Sequence, residues 1–409
     1  MRVVLLTQWF DPEPTFKGLT FARELVRQGF EVEVVTGFPN YPGGEVYPGY
    51  RISLIQREEI DGVRITRLPL YPSHDGSALR RIANYASFAA SSLLYGLFWI
   101  KRPDVIYAYH PPLTVGVTAA LLRLFRRIPV AYDIQDMWPD TLRATGMMNN
   151  EKVLSVIEKV CRWVYRRVDH LVVLSPGFKC LLVERGVPEQ KIEVIYNWCE
   201  EDGLNTPAGA CPPGFPDASR FRIVFAGNMG KAQALGAVLD AASILAALRT
   251  DICFVFVGSG VELDGLKREV ANRKLANVVF IPRVPMNEVG AILAAADALL
   301  VHLKNDPLFA ITIPSKTQAY LAIGRPVLMA VPGDAAALVR SAGCGVLAEA
   351  ENPQSIAAAA IKLAEMPADE RLMMGQRSRD YYWKHLSLSV GAGHFAECFR
   401  RLALSGGRG

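Results

Sequence analysis

IEVIYNWCEEDGLNTPAGACPPGFPDASRFRIVFAGN, residues 192–228, holds two strand-like runs with a break between them. IEVIYNW is apolar and β-branched, as a strand buried on both faces must be. Residues 200–219 are crowded with Pro, Gly and polar side chains, which marks a linker. FRIVFAGN then begins a second apolar run of the same kind. A pattern that ends, breaks and restarts predicts two α/β domains in one chain.

Working outward supports this. Upstream, strands VVLLT, EVEVVT, DVIYAY, PVAYDI and HLVVLS alternate with helical periodicity over 20–28, 82–100, up to 127, and over 150–168. Two turn-rich stretches, FPNYPGGEVYPGYR and residues 68–76, interrupt the alternation. Downstream, FRIVFAGN, ICFVFVGSG, VVFIPRV, ALLVHL and PVLMA alternate with helices over 234–248, 263–273, 287–295, 317–323 and 334–342. Such alternation predicts a parallel sheet in each half. The expected organisation is an α/β chain with two Rossmann-like lobes facing a cleft: 1–200, a linker over 201–219, and 220–380. A C-terminal helix over 381–409 has the option of crossing back to the first lobe. Ligands of such sheets bind outside the carboxyl ends of the strands, so the site is expected in that cleft.

Composition narrows the function. Of 409 residues, 51% are apolar and 21% charged, with a net charge of +5. That suits a folded globular chain and gives no reason to invoke nucleic acid. Seven scattered cysteines with no C-x-x-C pair argue against a disulfide framework or a zinc site, and for free thiols in a reducing cytoplasm. The N-terminal apolar run is too short for a signal peptide. Residues 82–100 carry no charge and are long enough to span a bilayer. Asn84, three serines and two tyrosines dilute them, and a strand follows at once, so a helix packed on the sheet with one face toward lipid is expected. Arginines flank apolar aromatic runs such as LLRLFRR and CRWVYRR. That pattern suits docking on an anionic membrane surface, whereas a purely solvated reading would leave these arginines around core helices.

Several strand ends carry candidate chemistry. Gly18, after Lys17, opens a helix where backbone could approach a phosphate. No G-x-G-x-x-G follows the first strand, which argues against a dinucleotide oxidoreductase. Gly258 and Gly260 in VGSG offer a second backbone approach. His110 follows DVIYAY ahead of two prolines, placed to meet a sugar hydroxyl. YDIQDMWPD puts Asp133, Asp136 and Asp140 past another strand, and Asp136 is the candidate carboxylate, with a plain cap as its structural alternative. IPSKTQAYLAIGRPVL, residues 313–328, is the most informative run. Ser315 is placed to cap a helix that Lys316 begins, and a lysine at a helix start suits a diphosphate. Lys304 offers a second cation.

These runs, with VLSPGF, FAGNMGKAQAL and GDAAALV, resemble the retaining GT-B glycosyltransferases of family four, in the branch that builds bacterial surface polysaccharides and resembles N-acetyl-fucosamine transferases. The likeness spans about residues 1–350. It implies a nucleotide diphosphate sugar, with UDP preferred, bound near Gly227, Asn228, Lys231, Gly258, Gly260, Arg283, Val284, Lys304, Ser315, Lys316 and Gln318, with Gly18 at the phosphate. A lipid-linked saccharide acceptor would enter from the first lobe, near Gly18, His110 and Asp136. The resemblance implies catalytic roles for His110, Asp136 and Lys316, no divalent metal and no other cofactor, and a place on the cytoplasmic face of the inner membrane as a peripheral protein making O-antigen or capsule. Two departures stand out. The family's paired glutamates fall at Ile311 and Ala319, leaving Gln318 as the substitute for holding the ribose. Asn228 replaces the family Arg, and Lys231 or Gln233 must serve for its Lys. A sugar-nucleotide epimerase of the same fold, a non-catalytic nucleotide-binding module and a scaffold anchored by 82–100 are the competing readings.

Overall fold

The computed structural model describes residues 1–73, 78–204 and 212–406. The chain forms two compact units, Met1–Tyr196 with Leu388–Gly409, and Asn197–Ser387.

The first unit is built on strands β1 (Arg2–Leu6), β2 (Glu31–Gly37), β3 (Gln56–Ile60), β4 (Val63–Leu68), β5 (Val105–Tyr109), β6 (Val130–Ile134), β7 (His170–Val173) and β8 (Ile192–Val194). Their order is β3-β4-β2-β1-β5-β6-β7-β8. All neighbours run parallel except β3 and β4. β1, β5 and β6 are buried along their whole length because helices cover both faces. The helices are α1 (Leu19–Arg27), α2 (Ala78–Phe98), α3 (Leu113–Arg126), α4 (Asp140–Ala144), α5 (Glu151–Arg167) and α6 (Pro176–Glu184). Strand order reverses between β1 and β5, which makes their carboxyl ends the switch point of this sheet.

The β3–β4 hairpin was not read from the sequence. Its alternating exposed and half-buried pattern belongs to an edge strand, and Asp61–Gly62 supplies its tight turn. Residues 82–100 lie mainly in α2, whose Phe88 and Tyr95 are core residues. Among the described residues, no helix is long and apolar enough to cross a membrane.

The second unit holds β9 (Phe221–Asn228), β10 (Ile252–Ser259), β11 (Val278–Ile281), β12 (Ala298–His302), β13 (Val327–Ala330) and β14 (Gly345–Leu347). They form one parallel sheet in the order β11-β10-β9-β12-β13-β14. Its switch point lies between β9 and β12. Helices α7 (Gly236–Leu248), α8 (Leu263–Arg273), α9 (Met286–Ala295), α10 (Pro307–Ala310), α11 (Ser315–Ile323), α12 (Asp334–Ala342), α13 (Pro353–Glu365) and α14 (Ala368–His385) surround it. Its core packs Phe225, Phe254, Phe256, Leu239 and Leu300. Because α14 stays with this unit, the second lobe runs past residue 380. Of the linker, residues 205–211 lie outside the described residues, and the remainder counts with the second unit.

The last helix, α15 (Leu388–Gly406), belongs to the first unit. Phe395 packs edge-on against Phe21 of α1 and Tyr107 of β5, and Phe399 against Phe30. Six described cysteines are free thiols, with only Cys180 exposed; Cys211 lies outside the described residues.

Candidate functional site

In the second unit the switch point is lined by the glycines that end β9 and β10. Gly258 stands opposite Gly227 in register. A Cβ on Gly258 would sit 2.2 Å from the Gly227 carbonyl oxygen, and one on Gly260 would sit 2.3 Å from that of Met229. Backbone approach therefore accounts for both glycines without a ligand. Gly227 differs: the nearest atom to its absent Cβ is Lys316 Nζ, at 3.4 Å.

Lys316 is the second residue of α11. As a residue it is half-buried, yet its ammonium is sealed and has no hydrogen-bond partner. It lies 3.4 Å from the Phe225 ring centroid. Burial lowers its pKa from 10.5 to about 7. A buried cation without a counter-charge is costly, and an arriving anion would supply that charge. The hydroxyl of Tyr320, one helical turn on, accepts from the Ala226 amide at 2.8 Å and pins α11 to the end of β9. Strand and lysine are thus held in one register.

The start of α11 departs from expectation. Pro314 takes the cap position, so Ser315 is the first helical residue, exposed and making no cap. The amides of the first turn consequently have no side-chain cap. The Gln318 side chain is buried and turns back on its own helix, its amide nitrogen donating to the Pro314 and Ser315 carbonyls at 3.0 Å each. That geometry spends Gln318 on the helix start instead of on a ribose. No acidic side chain stands at Ile311 or Ala319 either.

Exposed Asn228 and Lys231 share one loop cluster with Lys304. The Lys304 amide donates to the Ala232 carbonyl at 2.9 Å. His302, which sequence reading passed over, ties that cluster together. Its Nδ1 lies 2.7 Å from the Gln233 carbonyl, and its Nε2 accepts from the Glu351 amide at 3.1 Å. Burial, the largest cause, lowers its pKa and keeps it neutral. A histidine in an apolar strand, ALLVH, was its only sequence signal. Exposed Arg283 and half-buried Val284 follow β11, which is two strands from β9, on the order of 10 Å away. They sit at the rim.

In the first unit His110 follows β5 at the switch point. It is buried, its Nδ1 has no partner, and it contacts Tyr132 and Trp138 edge-on. Burial lowers its pKa to about 3, so the imidazole is neutral. The three aspartates divide their roles. Asp133 is buried, accepting from Tyr107 Oη and Gln135 Nε2 at 2.6 Å each. Asp140 pairs with Arg185 at 2.7 Å. Asp136 has no side-chain hydrogen bond among the described residues and caps nothing, and burial raises its pKa.

Gly18 does not present a phosphate site. The chain's own Asp11 occupies the start of α1, accepting from the Leu19 amide at 2.6 Å, and Gly18 leaves room for that carboxylate. Lys17 points into the core, 4.9 Å from the Phe395 ring centroid with Asp133 nearby. A polar network was also missed: Gln8 donates to Asn84 at 2.5 Å, and Asn84 to Asn40 at 3.3 Å. Above it Trp9 stacks on Tyr41 at 4.4 Å. Polar residues buried in otherwise apolar runs were the available clue.

Residues 19–198 match the description "Glycosyl transferase 4-like domain", and residues 214–381 match "Glycosyl transferases group 1". The chain is 28% identical over 341 residues to the putative colanic acid biosynthesis glycosyl transferase WcaI of Escherichia coli K12, covering 79% of this chain and 82% of that protein. It is 24% identical over 308 residues to the probable glycosyltransferase WbjE of Pseudomonas aeruginosa, covering 74% and 76%. Among solved structures, sucrose-phosphate synthase of Thermosynechococcus elongatus aligns with a TM-score of 0.73 at 15% identity, over 99% of both chains. Anabaena HepE in complex with UDP and glucose aligns at 0.67 and 15%, over 98% of this chain and 99% of that one. At these identities the structures establish a shared fold.

Proposed function

As this chain is a GT-B glycosyltransferase, joining a glycosyl transferase 4-like domain to a group 1 domain, we propose that it moves a sugar from a UDP donor onto a lipid-linked saccharide, with retention at the anomeric carbon. One observation carries the donor half of this reading: the sealed, unpartnered Lys316 ammonium beside Gly227 at the switch point. As the bond from sugar to diphosphate breaks, negative charge gathers on the leaving oxygen. Lys316 and the uncapped first turn of α11 are placed to stabilise it without covalent chemistry. Because these groups provide the positive charge, the proposal calls for no divalent metal or other cofactor, and transfer should persist in EDTA. UDP is favoured because HepE, which shares the fold, was solved with it.

The neutral His110 and the unpaired Asp136 serve the acceptor side. His110 would hydrogen-bond a sugar hydroxyl, and Asp136 would take up the acceptor's proton. Surface polysaccharide is the product class proposed, and the name of the relative WcaI, colanic acid biosynthesis, supports it. The work would take place at the cytoplasmic face of the membrane, making O-antigen or capsule. N-acetyl-L-fucosamine is the sugar we put first, and a preference for a GDP-linked hexose in a donor panel would overturn it. The deciding experiment is a titration of UDP, GDP and ADP against wild type and Lys316→Ala. UDP binding best, with most of it lost in the variant, supports the reading. No nucleotide binding at all would end it. Ala319 favours one second reading, a non-catalytic nucleotide-binding module, which tight UDP binding with neither transfer nor hydrolysis would support.

A further inference from the structure

Helix α2 is two-faced in an unusual way. Asn84, Phe88, Ser92 and Tyr95 recur every three to four residues and are buried. Between Arg81 and Lys101 every exposed residue of the helix is apolar: Ile82, Ala83, Ala86, Ala90, Leu94 and Phe98. Leu79 extends the stripe by one turn. A helix facing water normally carries polar side chains on its outer face. Here Leu79 is 79% exposed, Phe98 71% and the adjoining Trp99 61%. From Leu79 to Phe98 the stripe runs about 30 Å.

The neighbouring helix widens it. Arg126 donates to the Gly96 and Ile100 carbonyls at 2.7 and 2.9 Å, holding the end of α3 against the end of α2. This brings Phe125, itself 64% exposed, to the same end of the layer. Cations bracket the stripe, with Arg80 at one end and Lys101, Arg102 and Arg127 at the other, all exposed. Residues 78–102 and 113–127 contain no Asp or Glu. An apolar face framed by cations, on two helix segments that carry no carboxylate of their own, complements an anionic bilayer, whose acyl chains take the apolar residues while its phosphates meet the cations. The carboxylates that reach its Trp99 end, Glu58 and Glu59 of β3, stand among Arg57, Arg64 and Lys101.

We infer that α2 lies flat in the surface of an anionic membrane, with Leu79, Ile82, Leu94, Phe98, Trp99 and Phe125 in the acyl boundary. The helix enters from β4 and leaves toward β5, so its Leu79 end is at the same edge of the sheet as His110 and Asp136. Lying flat, it holds that edge at headgroup level, where the phosphate of a lipid-linked acceptor resides. The inference rests on the lipid-linked acceptor proposed above and names the surface that meets the lipid.

The test is flotation of the full chain with phosphatidylcholine vesicles, with and without phosphatidylglycerol. Wild type should float with the anionic vesicles. Leu94→Glu with Phe98→Glu should lower the bound fraction by about ten-fold or more, since two large apolar side chains would no longer leave water on docking. Val261→Glu, at an exposed apolar position of the second unit, should float like wild type. Failure of wild type to float, or undiminished flotation of the double variant, overturns the inference. So does a wild-type dimer that the double variant converts to monomer, because the stripe would then be covered by a second copy. UDP titration of the same samples separates the two readings. Intact UDP binding without flotation removes the docking surface alone, and flotation without UDP binding removes the donor reading alone.

Discussion

Lys316 carries the sharpest predictions. Its pKa is lowered to about 7 in the folded chain against an ordinary 10.5. The folded state therefore binds fewer protons than the unfolded chain between those values, and the destabilisation is greatest below about pH 7 and relieved as pH rises toward 10.5. Lys316→Met should accordingly match or exceed wild type in thermal stability at pH 7 while losing UDP, a trade of stability for function. A diphosphate at Nζ favours the charged form, so UDP binding should take up protons above pH 7 and weaken as pH rises; calorimetry in buffers of different ionisation enthalpy measures both. At His110, lowered to about 3, the wild-type rate at saturating UDP, where the diphosphate keeps Lys316 charged, should show no inflection near 6.5. His110→Ala should lower kcat by about 10²-fold or more with UDP binding unchanged. The lysine was legible because a Pro-Ser-Lys run before a helix is a local pattern. His302 was not, because its partners Gln233 and Glu351 are far away in the chain.

At the scale of elements, β9 and β10 touch through glycine. Gly258 has φ of 137° and no room for a Cβ. Gly258→Ala should therefore cost at least about 2 kcal/mol in chemical denaturation, through backbone strain and strand separation. Gly265→Ala, where a Cβ meets nothing within 4 Å, is the control. Tyr320→Phe removes the hydroxyl that pins α11 to β9 and leaves the Ala226 amide unpaired, at about 1–3 kcal/mol. It should also raise the UDP dissociation constant, because Lys316 rides on that helix. Most elements could be read from periodicity alone, and residues 263–273 form a helix with the bounds expected. The β3–β4 hairpin escaped because half-exposed edge strands lack the continuous apolar signal of buried ones.

For the whole molecule, the last helix matters most. Phe395 and Phe399 of α15 complete an aromatic cluster with Phe21, Phe30 and Tyr107. Phe395→Ala should destabilise the first unit by about 3–5 kcal/mol, seen as an earlier unfolding step, with the second unit's transition unchanged. The sequence by itself determined that there are two parallel α/β sheets, where the chain breaks between them, and which strand ends carry candidate chemistry. Those features are written in periodicity and turn residues, which act over a few positions. Only the tertiary structure decided which candidates are free to act. Lys17 and Lys316 look alike in sequence, each a lysine beside a helix start. One lies against Phe395 near Asp133 and is consumed by the core; the other lies over Phe225, beside Gly227, with no hydrogen-bond partner. Burial and charge at a site are set by residues far away in the chain, Phe225 and Gly227 for Lys316 and Phe395 and Asp133 for Lys17, and no local pattern encodes them.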